Sequence, residues 1–248
     1  MFCFFSGIFG VPVSVCTQQY ALAVEEFSRK NGNVTCLREI HFIDKDLGLV
    51  SAIQNEFSQK FNMVSSGSAN AVPSGQSTGK SVKRESVYVR SKSEDHASIH
   101  LDKPTDITPS VKFPKQYNTA KGIKLFIIED NITKLSVDAI VCPQDEDLRS
   151  FGAIAKMIEK TCDEKYKRAV YKMPRISMME VRKCKATPKG LPFRYVVHAV
   201  APRWDKYTVH DKQKFTKDLE LTIRNIIKHA SDSKEIETVA LPVLGIGK

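Results

Sequence analysis

The six cysteines, Cys3, Cys16, Cys36, Cys142, Cys162 and Cys184, show no CxxC or CxxH spacing. Thiols scattered in this way count against a metal site and read as free, buried groups in a reducing compartment, the nucleus or the cytoplasm. The chain also lacks a targeting signal at its start. Met1-Phe2-Cys3-Phe4-Phe5 is apolar but has no basic stretch before it, and glycine and proline break it soon after. It reads as neither a signal peptide nor a membrane span. No Ser-His-Asp or Cys-His constellation can be assigned from spacing. His198 lies in an apolar strand and reads as a core histidine rather than a ligand. Aromatic residues do not recur along a basic stripe, as a stacking surface for single-stranded nucleic acid requires.

What is present suits an ordinary folded protein. Of 248 residues, 42% are apolar and 27% charged, enough for one sizeable core with or without a tail. The net charge of +10 is uneven. Residues 1–63 carry −1, residues 64–117 carry +3, and residues 118–248 carry +8. A basic half suits an anionic ligand or nucleic acid. Its lysines are mixed with acids, however, so a solvated surface is the simpler reading.

Hydrophobic periodicity divides the chain into three parts. Residues 13–30 read as a helix with Val15, Gln19, Leu22, Ala23 and Phe27 near helical spacing, stopped by Asn31-Gly32-Asn33. Leu37–Ile43 reads as a strand, and Leu49, Ile53, Phe57 and Phe61 mark one face of a second helix. Residues 64–117 are rich in Ser, Gly, Pro and Lys without apolar periodicity, which predicts a flexible linker. From residue 122 the pattern alternates. Strands are expected at 123–128, 138–142, 179–186, 194–200 and 239–244, with helices at 152–172 and 212–230 and a turn at Pro188-Lys189-Gly190. This alternation predicts a mixed α/β sheet covered by helices, with ligands near strand ends, Gly-rich loops and helix starts.

Three blocks carry a resemblance. Asp130-Asn131-Ile132-Thr133 leads after three residues into Asp138-Ala139-Ile140-Val141. Gly190-Leu191-Pro192-Phe193-Arg194-Tyr195-Val196-Val197-His198-Ala199-Val200-Ala201-Pro202-Arg203-Trp204 follows, and Leu241-Pro242-Val243-Leu244-Gly245-Ile246-Gly247 is the third. In this order they resemble the macrodomain family, and in overall style the tandem macrodomains of macro-type poly(ADP-ribose) polymerases. Residues 1–63 resemble the family's C-terminal portion, including Leu37-Arg38-Glu39-Ile40-His41-Phe42-Ile43. Ser6-Gly7-Ile8-Phe9-Gly10 and Gly245-Ile246-Gly247 look like two halves of one phosphate-gripping loop, where glycine lets backbone N–H groups approach a pyrophosphate.

The resemblance implies a macrodomain-like mixed sheet flanked by helices, completed in circularly permuted order by the N-terminal segment. On this reading, 1–63 is the C-terminal portion of a first macrodomain, 64–117 a linker, and 118–248 a second macrodomain lacking its C-terminal elements. The expected strand at 37–43 then pairs inside the sheet of 122–248, and Gly7–Gly10 lie near Gly245–Gly247. The implied function is binding of ADP-ribose or ADP-ribosylated protein, with no cofactor or metal and no membrane partner. The implied contacts are Asn131 and Ile132 for adenine, Asp145, Gly152, Ala153 and Ile154 around the distal ribose and phosphates, and the two loop halves, Ser6, Gly7, Ile8, Phe9 and Gly10 with Gly245, Ile246 and Gly247. The sequence departs from the family at several of these positions. Asn131 stands where the family has Asp, Cys142-Pro143-Gln144-Asp145 where it has Asn-Ala-Ala-Asn, and Phe151 and Ala153 where it has glycines. Two alternatives therefore stand beside binding. One is ADP-ribosyl hydrolysis, for which Asp145 and Glu146 are an acidic pair. The other is a degenerate macrodomain used for protein or nucleic-acid contacts. A transferase domain, if the protein has one, lies outside these residues.

Overall fold

The computed structural model describes residues 11–64, 114–149 and 152–244. In chain order the elements are α1 (Val13–Asn31), β1 (Glu39–Asp44), α2 (Leu47–Lys60), β2 (Asn62–Met63), β3 (Lys115–Asn118), β4 (Lys124–Glu129), β5 (Ala139–Pro143), α3 (Ala153–Thr161), α4 (Glu164–Tyr171), β6 (Val181–Lys185), β7 (Tyr195–Ala199), α5 (Lys212–Ser231) and β8 (Thr238–Pro242). The strands form one mixed sheet in the order β2-β3-β4-β1-β8-β5-β7-β6.

The strand expected at 37–43 does pair within this sheet. It occupies the interior, between β4 and β8. On one side β1 runs parallel to β4, with Glu39 opposite Lys124 and Asp44 opposite Glu129. On the other it runs parallel to β8, with Glu39 opposite Thr238 and Ile43 opposite Pro242. A strand hydrogen-bonded on both sides and covered by helices must be apolar nearly throughout. Accordingly Ile40, Phe42 and Ile43 are all buried.

Strand alternation sends side chains to two cores. On one face α1, α2 and α5 cover Phe42, Leu125, Ile127, Val239 and Leu241, contributing Tyr20, Phe27, Phe57, Phe215 and Ile223. On the other, Ile140, Cys142 and Val196 pack under Ala155, Ile158, Tyr166 and Val170 of α3 and α4. Of the α1 positions that spacing marks, Gln19, Ala23 and Phe27 are buried and Val15 and Leu22 half-buried, and Cys16, Tyr20 and Val24 complete the buried stripe. Gly32, just past α1, lies against the β3–β4 turn. A Cβ there would sit 2.3 Å from Lys121 Cβ and 2.5 Å from Ser28 O, so only glycine permits this approach.

Local chemistry explains two boundary differences. Residues 152–172 form two helices because Asp163 restarts the chain. Its carboxylate accepts from Tyr166 N at 3.1 Å, and its own N–H donates to Thr187 O at 3.0 Å. An Asp N-cap of this kind contributes about 1 kcal/mol. Asp46 starts α2 in the same way, accepting from Gly48 N and Leu49 N. Strand β3 begins within the last residues of the stretch read as linker and pairs antiparallel with β4.

Asp138, in the Val-Asp-Ala-Ile-Val block, is a joint between strands. Its carboxylate accepts from Glu237 N at 2.9 Å, from Thr238 N at 3.0 Å, and from Arg194 at 2.7 Å. These bonds tie the start of β5 to the start of β8. They hold the carboxyl below the usual carboxylate range although burial alone would raise it.

Phe42 lies edge-on to Tyr20 and Phe57, with ring centroids 5.5 and 4.9 Å away. Phe42→Ala is expected to lower unfolding stability by about 3–5 kcal/mol, the usual cost of emptying a buried aromatic site. Urea unfolding of the full chain measures this. A loss under about 1 kcal/mol would mean that β1 is not part of the cooperative core.

Candidate functional site

The parallel pairings β4–β1–β8–β5–β7 bring five carboxyl-terminal strand ends to one edge of the sheet. Ligands of open α/β sheets bind at such edges. The loops beyond these ends are knit together by backbone bonds, Asp130 N to Asp44 O at 3.2 Å and Gln144 N to Ala199 O at 2.9 Å.

After β4, Asn131 caps a short 3-10 turn, Ile132–Lys134. Its Oδ1 accepts from both the N–H and the hydroxyl of Thr133, at 3.1 and 3.0 Å. The side-chain group left for a ligand is then the Nδ2 amide, a donor. Ile132 points into the core, 3% exposed, in the cluster that includes Ile43, Ala240, Leu148 and Ala155. The 3-10 turn packs against both β8 and α3.

After β5, the acidic run folds its own loop. Asp145 Oδ1 accepts from Arg149 N at 2.8 Å, and Asp145 O accepts from Leu148 N at 3.1 Å. Leu148 adopts φ 56° to close the turn. Glu146 pairs with Arg175, and Asp147 with Arg149. The Asp145/Glu146 pair is thus engaged as turn cap and ion-pair partner.

At the start of α3, Gly152 is the N-cap with φ −71° and ψ 153°, and no side chain caps the helix. A Cβ on Gly152 would meet nothing within 4 Å. Ala153 is exposed, and Ile154 packs against the core beneath. Among the described residues, no side chain caps the N–H groups of the first turn of α3.

After β8, residues 242–244 are held by α1. Tyr20 OH donates to Pro242 O at 2.8 Å and accepts from Leu244 N, and Cys16 Sγ donates to Leu244 O at 2.8 Å. Burial pushes the Cys16 and Tyr20 hydrogens well above their ordinary range of release, so both stay protonated donors. The chain entering α1 and the chain leaving β8 therefore meet at this edge. Ser6, Gly7, Ile8, Phe9, Gly10, Phe151, Gly245, Ile246 and Gly247 lie outside the described residues. Among the sequence-derived positions, the structure gathers Asn131, Ile132, Gly152, Ala153 and Ile154 around the 3-10 turn and α3, with Asp145 in the adjoining loop. Periodicity marked the α1 helix, but nothing in it marked Tyr20 and Cys16 as hydrogen-bond donors to a strand end over two hundred residues away.

Beneath the edge, His198 is fully buried on β7. Its Nε2 lies 3.4 Å from Tyr166 OH and its Nδ1 3.5 Å from Gln144 Nε2. Gln144 also reaches Cys142 Sγ at 3.5 Å. Burial raises the Cys142 thiol far above its ordinary value, so it is no nucleophile. Among the described residues, Cys16, Cys36, Cys142, Cys162 and Cys184 are free, and no three His, Cys, Asp or Glu side chains are grouped to hold a metal. No described helix is long and apolar enough to cross a membrane.

Residues 141–248 match the family model of the Macro domain. That part of the chain is similar to the Macro domain. Over 132 residues it is 33% identical to the mouse protein mono-ADP-ribosyltransferase PARP9, covering 51% of this chain and 14% of that protein. Over 96 residues it is 31% identical to human protein mono-ADP-ribosyltransferase PARP14, covering 36% of this chain and 5% of that protein. The chain thus spans a small part of these relatives' length. Among solved structures, the GDAP2 macro domain is 20% identical, covering 45% of this chain and 53% of its own, with a TM-score of 0.40. A mutant Oceanobacillus iheyensis macrodomain solved with ADPR is 16% identical, covering 46% and 81%, with a TM-score of 0.34. The matched stretch of the family model begins inside β5, so the Asn131 turn and residues 11–64 lie outside it.

Burial lowers the pKa of His198 to about 4, below the 6.5 of an exposed imidazole. The folded state therefore binds fewer protons than the unfolded state between these values. Stability is full above pH 6.5 and falls as pH drops toward 4, by on the order of 2–3 kcal/mol. Urea midpoints measured across this range should show that loss, and His198→Gln should remove most of it. An identical pH profile in the variant would contradict a neutral buried imidazole.

Proposed function

We propose that this macrodomain is a binding module for ADP-ribose or ADP-ribosylated protein. The observation that carries the reading is the coincidence of the family match with the edge where five parallel strands end. The matched residues include the β5–α3 loop and the end of β8. Uncapped N–H groups at the start of α3 offer anion contacts without a charged side chain. On this reading 1–63 supplies the C-terminal portion of a first macrodomain, and 64–117 links it to a second, 118–248, which it completes. The compartment is the nucleus or the cytoplasm, where the free thiols stay reduced. No observation favours hydrolysis, since Asp145 and Glu146 are engaged in their loop. Titration calorimetry of the full chain with ADP-ribose tests the proposal. Saturable binding at one site is expected, and no heat at millimolar ligand would overturn it.

The engaged Oδ1 of Asn131 favours a weakened site as the second reading. Adenine's amino group is a donor and would meet the Nδ2 donor. Asn131→Asp keeps the cap through one oxygen and frees the other as a charged acceptor. It should tighten ADP-ribose binding by about 1 kcal/mol, roughly fivefold. Unchanged or weaker binding by a folded variant would place adenine elsewhere.

A further inference from the structure

We propose that the outer face of α4 is a binding surface for single-stranded nucleic acid, separate from the strand-end site. Lys165, Arg168 and Lys172 follow one another at helical spacing, all exposed, around a shallow depression of about 530 Å³ floored by Ala169. Among the described residues, no carboxylate lies within ion-pair distance of any of the three. Of the two acids at the start of the helix, Asp163 interacts with the backbone N–H and the charge of Lys165 from beyond ion-pair distance. Asp163 caps α4 and accepts from Thr187, and Glu164 pairs with Lys167 at 2.6 Å. Like charges three and four residues apart on a helix repel, so the stripe carries a small cost that a polyanion would remove.

Spacing and an aromatic neighbour set the ligand class. The seven residue steps from Lys165 to Lys172 span about 10 Å, so a strand laid along the helix can bring phosphates to all three cations. Tyr171, three residues after Arg168 and next to Lys172, is 91% exposed. Aromatics do not recur along the sequence here, but the fold sets this one ring in water beside the three cations, a stacking face for a single base that an acidic peptide or an isolated phosphate would not use. The opposite side of α4 is anchored through Tyr166 and Val170, and the helix packs on edge strand β6, so the stripe is held rigidly outward.

The test is fluorescence anisotropy of the full chain with a labelled 12-nucleotide oligothymidylate at several salt concentrations. Binding is expected to weaken about 100-fold for a tenfold rise in salt, as three phosphate contacts on a single strand require. Lys165→Gln/Arg168→Gln/Lys172→Gln should abolish most binding and flatten the salt dependence. Lys206→Gln/Lys214→Gln/Lys217→Gln, an equal charge change on other exposed elements, should leave it nearly intact. Tyr171→Ala should weaken binding on the order of tenfold at unchanged salt slope, the effect of losing one stacked base. Because all these side chains are exposed, circular dichroism should show every variant folded. The proposal is overturned if the wild type does not bind the oligonucleotide, or if both triple variants lose affinity equally. It is also overturned if Tyr171→Ala has no effect, or if anionic phospholipid vesicles bind while the oligonucleotide does not.

Discussion

Everything in this structure hangs on β1 being held on both sides. Strands β4 and β8 are not neighbours; β1 stands between them, parallel to each, in a register that continues from Glu39 to Asp44 on one side and to Ile43 on the other. Without it the sheet would fall into two pieces, each with a bare parallel edge. Parallel edges are a poor place to stop, since their unpaired N–H and C=O groups invite pairing with other chains. The flanking helices follow from the same constraint. α1 packs on α5, and α2 lies over β1 and β4, so the N-terminal segment closes one whole core as well as the sheet.

The strand-end edge is a product of that closure. It exists because five strands run in one direction, and two of its loops touch residues of the N-terminal segment directly. Asp44 O receives the Asp130 N–H, and Tyr20 and Cys16 hold residues 242–244. A buried Tyr hydroxyl that both donates and accepts is fully satisfied, which makes it a fixed point. Acidic side chains are used locally: Asp46, Asp145 and Asp163 each accept backbone N–H groups at a turn or helix start.

Most of the architecture was legible in the sequence because burial imposes periods. The apolar run of Ile40, Phe42 and Ile43 and the stripe of Phe215, Leu219, Ile223 and Ile226 leave no alternative to strand and helix. The break at Cys162–Asp163 escaped periodicity because it rests on one capping carboxylate. Short β2 and β3 escaped because two to four residues carry too little pattern. The Asn131 and α3 positions came from motif resemblance and do lie together. The occupied state of Asn131 and Asp145 was invisible, because Thr133 and Arg149 are local partners whose bonds depend on turn geometry. The pairing of Tyr20 with Pro242 depends on a contact between opposite ends of the chain, which no local pattern encodes.

The central claim is that β1 is an integral middle strand. Native-state amide hydrogen exchange tests it most directly. The account predicts that the amides of Ile40 to Ile43 exchange as slowly as those of Val239 to Leu241, through global unfolding alone. Fast exchange in β1 with continued protection of β8 would show that the N-terminal strand opens independently, and would contradict the account.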